Sequence, residues 1–106
     1  MPAPQLAPVF AALGDETRWQ ILTRLGTGPA SASALAAEFP ISRQAIVKHL
    51  DVLQAAGLVE TARRGREVRY SVLGAPLSSL GRDLERIGSA WDRRLSSIKE
   101  LAESGQ

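Results

Sequence analysis

At 106 residues the chain is long enough to bury one hydrophobic core and too short for a second. It contains no cysteine, which excludes a disulfide framework and a thiolate metal site and fits a reducing, cytoplasmic setting. The net charge of +2 is small but unevenly placed: residues 42–72 carry Arg43, Lys48, Arg63, Arg64, Arg66 and Arg69 against Asp51, Glu60 and Glu67, whereas residues 73–106 balance five bases against five acids.

The opening stretch, Met1 to Val9, has no basic start and is interrupted by prolines, so it does not read as a signal peptide. No later stretch is apolar for long enough to span a bilayer. Residues 5–13 predict a short helix with Pro8 near its start, closed by Gly14. Asp15 then caps a second helix that stops at Gly26. Ile21, Leu22 and Leu25 form its core stripe, and Trp19 is expected on a partly buried flank. Residues 27–30, with two breakers among four, read as a break. Ser31 caps a third, alanine-rich helix that must end before Pro40, because proline disfavours a helical residue ahead of it.

After a tight link comes the segment on which the basic charge converges. Ser42 is a good N-cap, and Ile41 and Ile46 are spaced to close a hydrophobic staple across it. Ile46, Leu50 and Leu53 then recur at four and three, which places them on one buried stripe. Arg43, Gln44, Val47, Lys48 and Asp51 fall on the other side. Guanidinium, amide, branched methyl and ammonium groups together suit base edges and phosphates, although many solvated helices also carry such residues outward. Two short helices with a turn of about three or four residues between them form a helix-turn-helix, here spanning residues 31–56 within a helical core of residues 15–57. Gly57 terminates the fourth helix.

Beyond Gly57 the period changes from helical to alternating. Residues 58–62 and 67–72 predict two strands, and residues 63–66 a hairpin tip holding Arg63, Arg64 and Arg66 around a glycine. Those arginines repel one another, a cost that a phosphate-facing loop recovers on binding. The whole of residues 58–73 thus reads as a wing. Pro76 is expected to open a last helix over residues 76–103, with apolar residues at Leu77, Leu80, Leu84, Ile87, Trp91, Leu95, Ile98 and Leu101, close to coiled-coil spacing. A stripe that long is more than one small domain needs for docking its own helix. It predicts homodimerisation, with residues 5–13 joining the seam.

The expected architecture is therefore a single domain, residues 1–106, mainly α with a small two-stranded β-wing, in the order α-α-α-α-β-β-α. With these elements in place the sequence resembles the arsenic-repressor (ArsR) family of prokaryotic winged helix-turn-helix regulators, over roughly Phe10 to Leu101. The resemblance is carried by Phe10–Leu22, Ser42–Leu50, Leu53–Val59 and Arg63–Val72, in that order and spacing. It implies a homodimeric, sequence-specific DNA-binding repressor of the cytoplasm, working on the nucleoid, whose two recognition helices enter successive major grooves of an imperfect inverted repeat. Position by position, it implies that Ser42, Arg43, Gln44, Val47 and Lys48 face double-stranded DNA and that Arg63, Arg64 and Arg66 reach phosphates or the adjacent minor groove. It implies that Phe10, Leu80, Leu84, Ile87, Trp91, Leu95 and Ile98 lie at the dimer interface. Family members often have Ser or Thr where this chain has Val47, which would exchange a hydrogen bond for contact with a thymine methyl.

Metal-sensing members hold cysteines in the third helix where this chain has Ala36 and Glu38, and others use His and Asp on the last helix, where this chain has acids and no His. The single histidine, His49, sits inside the recognition helix and reads as a packed or hydrogen-bonded ring. One histidine without cysteine does not close a tetrahedral zinc site, so no metal and no cofactor are expected, and any small-molecule inducer is unspecified. Two other functional classes compete with this reading. A winged-helix adaptor could use the long apolar helix for a heterologous partner, but the basic wing argues against it. An enzyme would need a phosphate-cradling glycine loop, a nucleophile beside a base, or inward-facing carboxylates, and the sequence offers none of them.

Overall fold

The structure, a computed structural model, describes residues 6–104. Contacts divide the chain after Gly74 into two compact units, and each is described by itself. The first holds α1 (Leu6–Leu13), α2 (Glu16–Leu25), β1 (Ala30–Ser31), α3 (Ala32–Glu38), α4 (Arg43–Ala55), β2 (Val59–Arg64) and β3 (Glu67–Val72). The second is α5 (Gly74–Ser104), which begins one residue before the division. The start expected for the first helix, at Gln5, lies outside the described residues.

Local chemistry sets the helix ends. Asp15 and Ser31, both in extended backbone, accept the N–H groups of Arg18 (3.0 Å) and Ala34 (3.1 Å) and so cap α2 and α3. Phe39, the residue before Pro40, turns extended (φ −116°, ψ 145°) and ends α3. Gly57 (φ +78°) ends α4 in a Schellman arrangement: its N–H donates to Gln54 and that of Leu58 to Leu53, each at 3.0 Å. Leu53 and Leu58, brought together by that turn, are both fully buried. Arg18 ties α2 to the end of α1, its Nε and Nη2 donating to the carbonyls of Ala12 (2.9 Å) and Ala11 (3.1 Å).

The core lies where α2, α3 and β2 pack on α4, and it is built from Ile21, Leu35, Ile46, Leu50, Leu53, Leu58 and Val59. Leu22 and Leu25 of α2 are also buried, as expected, and Trp19 is about half exposed. The α4 stripe thus anchors the helix by one side and leaves its opposite side outward.

The sheet corrects the sequence reading. It has three strands rather than two, in the order β1-β3-β2, because Ala30 and Ser31 pair antiparallel with Tyr70 and Arg69. Residues 27–30 read as a break, but an N-cap residue takes extended backbone, and Ser31 (φ −81°, ψ 162°) is at once the cap of α3 and a strand residue. The hairpin tip is also tighter than expected. Arg63 and Arg64 belong to β2, paired with Val68 and Glu67, so the turn is Gly65–Arg66 alone. Gly65 (φ +66°) occupies the first central position, where a two-residue hairpin of the II′ kind takes glycine. Finally, α5 starts two residues before Pro76. Proline is tolerated there because N–H groups of the first turn have no intrahelical partner to lose.

Candidate nucleic-acid interface

The outward side of α4 is built on its first turn. Ser42 Oγ accepts the N–H of Ala45 at 3.1 Å, fixing where the helix begins and hence where Arg43 and Gln44 emerge. Ser42, Arg43, Gln44 and Lys48 are exposed and Val47 is half-buried, while Ile46, Leu50 and Leu53 are fully buried. On the wing, Arg63, Arg64 and Arg66 are exposed.

Between these two surfaces runs an open groove of about 630 Å³. Arg43 and Val47 border it from α4, Ser31 and Ser33 from the start of α3, and Arg64, Arg66, Val68 and Tyr70 from the wing. Cationic groups on both sides and apolar groups between them suit a sugar-phosphate strand. Of the residues singled out from sequence, the groove brings Arg43, Val47, Arg64 and Arg66 together. Ser42, Gln44 and Lys48 lie beyond its lining. Arg63 instead borders a smaller hollow of about 230 Å³ with Arg64, Arg69 and Ser71.

Sequence reasoning missed Ser31, Ser33, Glu67, Val68 and Tyr70 as part of this surface. The pairing of β1 with β3 puts them there, and no periodicity announces a two-residue strand.

The ion pairs separate structural cations from available ones. Arg24 Nε donates to both carboxylate oxygens of Glu38 (3.1 and 2.8 Å), joining α2 to α3. Arg69 Nε donates to Glu67 (2.9 Å), and that bond, with the guanidinium charge, holds the Glu67 carboxyl below the usual glutamate range. Glu67 is thereby tied to its own strand. Among the described residues, Arg43, Lys48, Arg63, Arg64 and Arg66 have no carboxylate within salt-bridge distance. Arg43, Lys48, Arg63 and Arg66 face outward without an ion pair, and Arg64 meets only the longer-range field of the Glu67 carboxylate, which lines the same groove.

His49 is half-buried. Among the described residues no group of three or more His, Cys, Asp or Glu side chains could hold a metal ion, and no helix is long and apolar enough to cross a membrane.

In the second unit, the stripe of α5 can be followed along one helix. Leu80 is buried; Leu84, Ile87, Trp91, Leu95 and Ile98 are exposed. Arg86 pairs with Asp83 and Lys99 with Glu103 along the same helix. In the first unit, Phe10 on α1 is also about half exposed.

Comparison with known proteins places this geometry. A family described as "Helix-turn-helix domain" matches residues 13–62, which span α2 through most of β2. The HTH-type transcriptional regulator Rv2034 of Mycobacterium tuberculosis is 38% identical over 95 residues, covering 90% of this chain and 86% of that protein. The solved structure of an ArsR-like transcriptional regulator from Rhodococcus sp. RHA1 is 63% identical, with a TM-score of 0.80 and 92% of each chain covered. The homodimeric winged helix-turn-helix DNA-binding domain of Mb0332 from Mycobacterium bovis, described as a possible ArsR-family regulator, superposes with a TM-score of 0.67 at 28% identity, over 80% of this chain and 79% of that one.

Proposed function

The chain belongs to the ArsR family of winged helix-turn-helix transcriptional regulators, and from that premise we propose that it is a homodimeric repressor which occupies an imperfect inverted repeat and blocks transcription there, its own promoter included. The observation that carries this reading is the groove whose two sides present Arg43 from α4 and Arg64 and Arg66 from the wing, none of them in a salt bridge, with Glu67, the one carboxylate in the lining, bonded to Arg69. In the bound state Arg43, Gln44 and Val47 meet base edges in the major groove, while Ser42 and Lys48 fix the helix against the backbone. Arg63, Arg64 and Arg66 take phosphates beside it or enter the adjacent minor groove.

Two copies joined along α5 set two recognition helices about one helical turn apart, which makes the site a repeat. The exposed run from Leu84 to Ile98 supports that seam, and the homodimeric relative supports its symmetry. Repression needs nothing beyond occupancy of the duplex. Activation would need a further surface for the transcription machinery. The setting is the cytoplasm, on the nucleoid.

The test is footprinting on DNA flanking the coding region at two salt concentrations, with protein whose mass in solution is known. A protected inverted repeat, held by a mass of two chains and lost steeply as salt rises, is the expected result. A single-chain mass with weak, salt-insensitive binding would favour an adaptor that uses the α5 stripe for a different protein.

A further inference from the structure

One cation on the recognition face differs from the rest. Arg43, the first residue of α4, donates from Nε to Ser33 Oγ on α3 at 3.0 Å. Lys48, Arg63, Arg64 and Arg66 make no side-chain hydrogen bond among the described residues. The chain therefore anchors one cation of this surface and leaves the others loose, and the anchored one stands at the N-terminal end of the recognition helix, where base edges are read.

We infer that Ser33 is a positioning residue for base recognition, holding the Arg43 guanidinium in the orientation in which it reads a purine. The inference rests on the reading of Arg43 as a base-contacting residue. Its physical content lies in the donor inventory of arginine. A guanidinium has one Nε–H and two terminal nitrogens in a rigid planar fork. With Nε–H engaged by α3, the plane and the outer edge are set. The two terminal nitrogens are left to meet paired acceptors, such as O6 and N7 of guanine. An unanchored arginine samples many rotamers and must be ordered when it binds. A phosphate contact tolerates that freedom; discrimination between bases does not.

The chemistry of the anchor also matters. Arg24 and Arg69 are held by carboxylates, which orient them and cancel their charge. A serine hydroxyl is a neutral acceptor, so Arg43 is oriented and remains a full cation. Ser33 and Arg43 line the same groove, and both are exposed, so the pair stands at the surface a duplex would cover.

The test begins with the duplex that wild-type protein selects from a randomised library, and with a scrambled duplex of equal length. Affinity for each is measured by fluorescence anisotropy for wild type, Ser33→Ala, Ser33→Thr, Arg43→Ala and the double variant Ser33→Ala/Arg43→Ala, with thermal melts of every protein. The expected result is that Ser33→Ala lowers the ratio of selected to scrambled affinity by about three- to tenfold and leaves scrambled binding and melting unchanged. Ser33→Thr restores the ratio, and Ser33→Ala has no further effect once Arg43 is absent. If Arg43→Ala lowers the ratio but Ser33→Ala does not, or still does so without Arg43, the positioning role is overturned while base reading by Arg43 stands. A ratio raised by Ser33→Ala also overturns it, since the bond would then be a resting contact that DNA must break. If Arg43→Ala leaves the ratio unchanged, both the base-reading assignment and the inference fall.

Discussion

Two helices of this chain carry apolar stripes of nearly the same spacing and end in opposite circumstances. On α4, Ile46, Leu50 and Leu53 are 0% exposed. On α5, Leu84, Ile87, Trp91, Leu95 and Ile98 are 46 to 67% exposed. The first stripe is consumed by the fold: it holds α4 by one side so that Arg43, Gln44 and Lys48 must face outward. The second is left over, and in water an apolar seam of that length is a surface for association rather than a finished one. Periodicity alone does not tell these cases apart. What separates them is burial, which depends on the surface a stripe meets.

The contrast breaks most visibly within the α5 stripe. Leu95→Glu is expected to give a single-chain mass in sedimentation and to lower affinity for a duplex carrying both half-sites on the order of 10²–10³-fold, because two linked contacts become one. Binding to a duplex with one half-site should change little. A variant that keeps a two-chain mass and full affinity would show that α5 is not the seam.

The matching substitution on α4 acts on the fold instead. Leu50→Ala removes buried methyl groups from a fully covered position and is expected to cost about 2–5 kcal/mol of unfolding free energy. Denaturant titration at one fixed protein concentration measures it, since association would otherwise add to the apparent stability. A loss near zero would mean that the stripe is not the anchor of the recognition helix.

A smaller effect separates the stripe from the helix end. Ser42→Ala deletes the acceptor of the Ala45 N–H and is expected to cost about 1 kcal/mol. Ser42→Asn, which retains a capping oxygen, should recover most of it. Circular dichroism melts of the two variants against wild type decide how far the start of α4 depends on its cap.

The parts of this molecule that could be read from its sequence are those whose cause lies within a turn or two of chain. Ser42 and Gly57 bound α4 because a capping oxygen and a positive φ are local requirements. The stripes follow from spacing. The hairpin was visible but its tip was not: the pairing of Arg64 with Glu67 shortens the turn to Gly65–Arg66, and the register of a pair is fixed by both strands together. β1 leaves no mark in the sequence because two residues have no period, and its partner Tyr70 lies forty positions on from Ala30. Nothing in the sequence sets Ser33 apart from an ordinary helix residue. Its place beside Arg43 depends on how α3 crosses α4, which neither helix encodes alone.

The weakest expected effect is a pH dependence at the start of α2. Asp15 accepts the backbone N–H of Arg18, and this bond, aided by the positive charges of Arg18 and His49 and opposed by desolvation, holds its carboxyl below the ordinary aspartate value of roughly 3.9. A carboxyl depressed on folding binds fewer protons in the native state than in the unfolded one, so stability rises with pH across the interval between the two values. The contribution is present above the unfolded value and is lost as pH falls through the folded one. Glu67, depressed by Arg69, acts in the same direction, so the measurement needs a variant that removes one contribution and keeps the other. Asp15→Asn retains a capping oxygen without a titrating group. The difference in melting temperature between wild type and Asp15→Asn should be constant near neutrality and shrink on acidification below about pH 4. A difference that stays constant to the acid limit would mean that the cap works through its oxygen alone and that the carboxylate charge is not part of how α2 begins.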